Sequence, residues 1–169
     1  YTFRFPANVI ERVEVIRGPG TAVYGADAFS GVINIVTKNL AETATNAGMR
    51  VGSFDSRDIW LQTGGEWQDI ELGFALEHQQ SDGDPDRVAN SDQQTVFDRL
   101  FRTAVSKAPG TLATRYDIID AHTSAKLHNW KWEQWWWQQR DGGLGPGGAQ
   151  ALDSAGYQKF RDYRSKLTH

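Results

Sequence analysis

The chain has no cysteine and a single methionine, Met49. The absence of cysteine excludes disulfides and thiolate metal sites. No apolar run approaches the roughly 18 residues that a membrane-spanning helix needs, which leaves open a membrane barrel, whose alternating strands are polar on average. Neither sign of charge is in large excess, since 18 Lys and Arg stand against 21 Asp and Glu. The basic excess of a nucleic-acid-binding protein is missing, so we expect no nucleic-acid partner.

Tryptophan and glycine, by contrast, are abundant among the 169 residues. There are seven Trp, five of them between residues 130 and 137, and 17 Gly against five Pro. This composition is typical of a β-rich polypeptide with many turns. The sequence begins at Tyr1 with neither an initiator methionine nor an apolar leader, so we expect it to be a piece of a longer protein.

The first 38 residues predict two short strands. Residues 12–17 alternate in polarity and are followed by a Gly-Pro-Gly run that stops a strand. Residues 31–37 are β-branched almost throughout and predict the second strand. A pair of strands with a glycine-rich connection is too small to be stable alone.

From residue 48 onward the pattern changes to strict alternation. Segments of about ten residues alternate apolar and polar side chains, which is the length of a tilted membrane strand. The turns near residues 68 and 129 are tight, while the connections 80–116 and 141–156 are long. Strands running alternately up and down would place both long loops at one end, as membrane barrels place long outer loops opposite short periplasmic turns.

The first long loop also contains helical spacing. Ser91 and Asp92 are suitable caps, and an Ala-Pro-Gly run at 108–110 ends the segment. We expect a helix here that covers or shapes a pore mouth. Its apolar positions are Val96, Phe97, Leu100, Phe101, Ala104 and Val105.

Four stretches near the start carry a family resemblance. They are IERVEVIRGP at 10–19, VYG at 23–25, the pair Asp27-Ala28, and GVINIVTK at 31–38. Together they resemble the end of the plug domain of TonB-dependent outer-membrane receptors. The matching region covers about 29 contiguous residues, which is far longer than a short motif.

The resemblance implies a mainly β fold. Residues 1–38 would be the C-terminal part of a plug domain and 39–47 a linker. Residues 48–169 would form the first five to six antiparallel strands of an incomplete transmembrane β-barrel, with a helix in one long extracellular loop. About 22 strands close such a lumen, so this chain would leave it open.

The resemblance also implies a transporter rather than an enzyme, without a cofactor. The protein would lie in the outer membrane of a Gram-negative bacterium, in contact with its lipid. It would bind TonB through an N-terminal segment that this sequence lacks. Its cargo would be a scarce nutrient: a ferric siderophore first, then heme, cobalamin or a saccharide.

Six residues take roles from the same resemblance. Glu14 and Arg17 would each tie the plug to charged groups on the inner barrel wall, because an unpaired buried charge is costly. The other four would form the tight turns of the plug motif: Gly18, Pro19, Gly25 and Gly31.

Metal binding has weaker support in the sequence. Residues 82–86 (DGDPD) have the carboxylate spacing of a calcium loop but lack the glycine and the acidic residue at its sixth and twelfth positions, so a solvated acidic loop is the favoured interpretation. The histidines show no metal-ligand spacing. We expect His78, His122 and His128 to lie on barrel strands and line the lumen.

The tryptophans at 130–137 admit two interpretations. They could stack against sugars or bases, but an aromatic girdle at the membrane interface is favoured. Trp135, Trp136 and Trp137 would then lie near the outer end of their strand.

A soluble β-sandwich that recognises a carbohydrate or protein partner is the competing class. The facing of side chains separates the two. In a barrel one face carries Ile59, Leu61, Ile70, Leu72, Phe74 and Leu76, exposed in this chain because lipid is their solvent. The other face would carry Glu71, Glu77, Lys126 and His128. In a sandwich both sets would be buried between packed sheets.

Overall fold

A computed structural model of the chain describes residues 6–18, 21–25, 28, 30–145, 147 and 151–169. After a 3-10 turn at Ala7–Val9 come strand β1 (Ile10–Arg17), the short helix α1 (Thr21–Tyr24) and strand β2 (Gly31–Thr37). The two strands pair antiparallel as a hairpin, with Arg17 opposite Gly31. Both strands predicted in the first 38 residues are therefore confirmed.

The rest of the chain forms one large sheet and one small one. The strands are β3 (Asn46–Gly52), β4 (Ser56–Trp67), β5 (Ile70–Ser81), β6 (Val88–Ala89), β7 (Gly110–Thr111), β8 (Tyr116–Leu127), β9 (Trp130–Gly142) and β10 (Phe160–Thr168). The large sheet has the order β3-β4-β5-β8-β9-β10, with every neighbouring pair antiparallel. Strands β6 and β7 pair within the first long loop. This is the mainly β fold with antiparallel barrel-type strands that the sequence predicts.

The connections alternate in length around this sheet. Gln68 and Asp69 form a two-residue turn in which both have positive φ (48° and 65°), the conformation that suits a tight hairpin. A second turn at His128 lies at the same end, which we call the short-turn end. The loops 82–115 and 143–159 both lie at the opposite, long-loop end. The up-and-down arrangement is confirmed.

The two faces of the large sheet differ in chemistry. Directly paired residues share a face in an antiparallel sheet; Ile59 is opposite His78 and Leu61 is opposite Leu76. Ile59, Leu72 and Leu76 are 56%, 42% and 40% exposed, respectively. We call this the apolar face. Its exposure confirms the predicted facing and is the reverse of what a sandwich requires, although Ile70 and Phe74 are only half-buried rather than exposed.

The opposite side, the polar face, carries the predicted charged residues with one exception. Glu71 is opposite Lys126, and the Oε1–Nζ distance is 2.6 Å. Glu77 lies on the same face of β5, six residues further along. His128 does not belong to it: the strand ends at Leu127, and His128 has a φ of 54° in the turn. The prediction for His128 was wrong because the tight turn takes up the residue.

Helix α2 (Gln93–Phe101) lies in the first long loop, where the sequence predicts it, but it is shorter than expected. Arg102 adopts the left-handed conformation and ends it. The carboxylate of Asp98 accepts hydrogen bonds from the backbone N–H groups of Val105 and Ser106 at 2.9 and 2.7 Å. These bonds hold residues 103–106 against the helix end, so the predicted extension to Val105 was wrong. Among the described helices, none has the length and apolar character to cross a membrane.

Candidate functional site

The hairpin segment meets the polar face of the sheet at Glu77. Asn8, in the first 3-10 turn, donates from Nδ2 to Glu77 Oε2 at 3.1 Å. Gln79 donates its side-chain amide to the other oxygen of Glu77. Glu77 is only 4% exposed, and a buried carboxylate needs such donors. Asn8 therefore supplies one of the hydrogen bonds that offset the desolvation cost of burying the Glu77 carboxylate of β5.

The linker residues form a second contact with the same face. Leu40–Glu42 makes a 3-10 turn, and Leu40 is buried in a small cluster with Val9 and Ala75. Two strand glycines, Gly64 and Gly73, admit its backbone. A Cβ atom built on Gly64 would lie 1.8 Å from the carbonyl oxygen of Leu40, and one on Gly73 would lie 2.5 Å from Leu40 Cβ. We call this pair of glycines the linker seat.

The predicted plug-coupling residues have a different arrangement. Glu14 accepts hydrogen bonds from Asn34 Nδ2 and Arg12 Nε, both at 2.8 Å. The Asn34 amide, followed by the Arg12 guanidinium, lowers the pKa of Glu14. Both donors belong to the hairpin. Arg17 is exposed and has no hydrogen-bond or ion-pair partner within the described ranges. Coupling of Glu14 and Arg17 to the wall stays a prediction.

The motif turns are partly described. Gly18 and Gly25 have φ values of 98° and 90°, which glycine adopts without steric cost. At Gly31 an added Cβ would lie 2.8 Å from the carbonyl oxygen of Ile16 across the hairpin. Pro19 and Asp27 lie outside the described residues.

The Trp130–Trp137 cluster is divided between the two faces. Trp130 lies on the apolar face at the short-turn end, where an aromatic girdle is expected. It is the last member of a row of residues paired across four strands, which begins with Trp67, Ile70 and Leu127. Trp135 and Trp137 lie on the polar face, opposite His122 and Asp120. Because β9 continues to Gly142, these two are in mid-strand, and so is Trp136, which lies on the apolar face opposite Ala121. Their assignment to an outer girdle was wrong.

On the polar face Trp135 is held in a compact group. Its Nε1 donates to Asp120 Oδ2 at 2.5 Å, and Asp120 Oδ1 lies 3.0 Å from His122 Nε2. The rings of His122 and Trp135 are stacked with centroids 5.5 Å apart. His122 thus lies on the polar face, as predicted for a lumen-lining residue.

His78 differs from the prediction, because it lies on the apolar face. It lies near the long-loop end, with its Nε2 3.0 Å from both Asp117 Oδ1 and Arg140 Nη2. Arg140 also donates to Asp117 at 2.8 Å. Over the part of the chain that the structure describes, no group of three or more His, Asp or Glu side chains is arranged to hold a metal ion. In the acidic loop 82–86, Asp84 instead accepts the backbone N–H of Asp86 at 2.9 Å.

The two long loops are tied together by Asp92, the N-cap of α2. Its Oδ1 accepts hydrogen bonds from Thr95 N, Thr95 Oγ1 and Ser106 Oγ, each at 2.7 Å. Its Oδ2 accepts the backbone N–H of Leu152, in the other long loop, at 2.8 Å. The Leu152 bond is the largest cause of a pKa of Asp92 far below the usual range.

Further hydrogen bonds join the two loops closer to the ends of the strands. Arg115 donates to the carbonyl oxygen of Gly156 at 3.1 Å and to Asp141 at 3.0 Å. Ala113 and Gly145 exchange backbone hydrogen bonds of 3.3 and 2.8 Å. The loops 82–115 and 143–159 therefore form one hydrogen-bonded unit, which we call the loop cap.

Sequence reasoning missed Glu77 and the linker seat. Glu77 gave no signal beyond its place in an alternating strand. The glycines did give one, because glycine inside a strand often marks a close backbone approach, and Gly64 and Gly73 occupy such positions.

The start of the chain matches a known protein family. Residues 1–32, about a fifth of the chain, match the family model of the TonB-dependent receptor plug domain. No solved structure matches the chain. At the level of the family, the match indicates TonB-dependent transport at an outer membrane.

Proposed function

We propose that this chain is the end of the plug and the first wall strands of a receptor that imports a scarce nutrient across the bacterial outer membrane, with a ferric siderophore as the first choice of cargo. One observation carries the proposal. The 3-10 turn that leads into a plug-type hairpin contacts the polar face of a sheet whose opposite face is apolar and exposed. Such a sheet suits a wall between lipid and a plugged lumen.

In this mechanism no covalent bond is made or broken. Cargo binds outside, the plug blocks the lumen, and TonB pulls on the plug to open a path. The Asn8–Glu77 bond is one contact that must break if the hairpin moves. Leu40 follows β2 in the sequence and packs on the linker seat, so it can stay on the wall while the residues before it move.

Uptake measurements test the proposal. In cells that express the full-length protein, radio-iron supplied as different ferric siderophores should accumulate with one of them, and a protonophore or loss of TonB should abolish the accumulation. Heme, cobalamin and saccharides are the next cargoes to compare. Energy-independent uptake of all of them, or recovery of the protein in the soluble fraction, would contradict the proposal.

A further inference from the structure

A groove lies between the linker and the polar face near the short-turn end. Its walls come from residues 37–40 on one side and from β8, β9 and β10 on the other. Its volume is about 340 Å³, which falls within the size range of small-molecule sites. The side chains that matter for its chemistry are Lys38, Lys131, Glu133, Trp135, Arg164 and Lys166.

Positive charge dominates this lining. Four cationic side chains face one carboxylate, Glu133, whose Oε1 is 2.8 Å from Lys131 Nζ. Arg164 is paired with Asp162 beside the groove at 2.7 Å. Two cations then remain outside any ion pair among the described residues: Lys38, which donates to the carbonyl oxygen of Asn8 at 2.7 Å, and Lys166, which lies opposite the already paired Glu133. The excess is local, because the chain as a whole has a net charge of −3.

The floor of the groove is held in place. Trp135 is fixed by its bond to Asp120 and by its stack with His122. The guanidinium carbon of Arg164 lies 4.8 Å from the centroid of the Trp135 ring, in a cation–π contact. The Arg164 charge therefore has a defined position, and a site whose charges are already placed binds a ligand with a smaller loss of side-chain entropy.

We propose that this cationic groove binds a small molecule with clustered carboxylate or phosphate groups, and that it is a station for anionic cargo along the wall beneath the plug. The inference rests on the proposed transport function and adds the charge of the cargo to it. Lys38 is the last residue of the predicted plug segment, while Lys166 belongs to strand β10 of the large sheet. Movement of the hairpin would therefore separate the two cations and release the anion.

Binding is tested first, without reference to transport. The full-length protein in detergent is titrated with citrate and with inorganic phosphate, and Trp fluorescence and calorimetry are recorded. The double variant Lys38→Gln/Lys166→Gln should bind citrate about tenfold more weakly. The matched control is Lys159→Gln, a loop lysine outside the groove, and should bind as the original protein does.

Transport measurements distinguish the proposed transport function from the proposed anion site. If the proposed function holds, the double variant should import an anionic cargo several-fold more slowly while its affinity for that cargo at the cell surface is unchanged. Citrate binding with no TonB-dependent uptake of any cargo would contradict the proposed function and leave the anion site standing. Equal citrate binding by the double variant would overturn the groove proposal.

Discussion

The two faces of the large sheet are made by the same strands, yet their burial patterns are opposite: apolar side chains are exposed on one face and polar side chains are buried on the other. On the apolar face, side chains such as Ile59 and Leu76 are exposed, and no second layer of the described chain covers them. On the polar face, Glu77 and Gln62 are buried, and the linker backbone lies directly on glycines. Within the described residues, the sheet therefore packs another part of the chain on its polar side alone. Its apolar side suits lipid, and its polar side holds another part of the chain.

A charge on the apolar face should give the largest effect. Leu76→Lys places an ammonium group near the middle of β5, where lipid would have to solvate it. We expect a loss of about 2–4 kcal/mol in the free energy of unfolding from lipid vesicles, measured by denaturant titration. Glu66→Lys, an exposed change on the opposite face, should cost less than about 0.5 kcal/mol. Equal costs for the two variants would remove the distinction between the faces.

Adjacent glycines offer the sharpest comparison within one strand. Gly64→Ala puts a methyl group into the Leu40 carbonyl, and we expect it to cost about 3 kcal/mol and to loosen the linker. Gly65→Ala points to the apolar face, where nothing lies within 4 Å, and should be neutral or slightly stabilising. Proteolysis of the linker together with unfolding titrations measures both. If Gly65→Ala proved the more damaging change, the linker would not lie on this face.

Removing the plug-side donor to Glu77 should have a smaller effect. Asn8→Ala leaves the buried carboxylate with Gln79 as its side-chain amide donor, at a cost of about 1–2 kcal/mol. The hairpin should also exchange its backbone amide hydrogens faster, which mass spectrometry detects. Asn90→Ala, an exposed loop change, serves as the control. Unchanged exchange in the hairpin would show that the Asn8–Glu77 contact does not hold it.

The loop cap lies at the long-loop end, outside both faces of the sheet. Acid should loosen this region and leave the sheet unchanged. The Thr103 hydroxyl, followed by the Ser106 backbone N–H, lowers the pKa of Asp98 to about 2. A lowered pKa in the folded state gives stability that is present above the ordinary value of 3.8 and lost as the pH falls towards 2. Hydrogen exchange at the end of α2 and in residues 103–106 should therefore rise over that window while the sheet is unchanged. Protection that persisted below pH 2 would contradict this role of the carboxylates.

A matched pair of variants tests whether the cap is one unit. Asp92→Asn removes a charged acceptor from four hydrogen bonds and should loosen residues 151–156 as well as α2 at neutral pH. Asp86→Asn, in the same loop, should leave both unchanged. Loosening confined to α2 would mean that the loops move independently.

Most of the fold could be predicted from local pattern. Period-two alternation determined the strands, and turn length determined which loops share an end, because both are local properties of the chain. The end of α2 could not be predicted from local pattern, because it depends on hydrogen bonds that the Asp98 carboxylate accepts from the backbone N–H groups of Val105 and Ser106. The position of His78 on the apolar face was not predicted for a related reason. His78 lies near the end of its strand, where its polar partner Asp117 comes from a neighbouring strand, and only the strand register brings the two residues together.

The site was less accessible than the fold. The plug motif drew attention to Glu14 and Arg17, but the contact that the structure shows with the wall is made by Asn8 and Glu77, which carry no motif. Alternation along β9 already places Trp135 on the same face as Lys131 and Glu133. That Trp135 and Trp137 lie in mid-strand depends on where β9 ends, which the local pattern did not predict.

The proposed function places one face of this sheet against lipid and the other against the plug, and these 169 residues contain no cysteine that would compete with an introduced label. Single cysteines placed at each of residues 70–77 in the full-length protein can carry nitroxide labels in lipid vesicles. Collisions with oxygen, which concentrates in lipid, should be frequent at 70, 72, 74 and 76 and rare at 71, 73, 75 and 77. A profile without this period of two, or one with the opposite phase, would contradict the account.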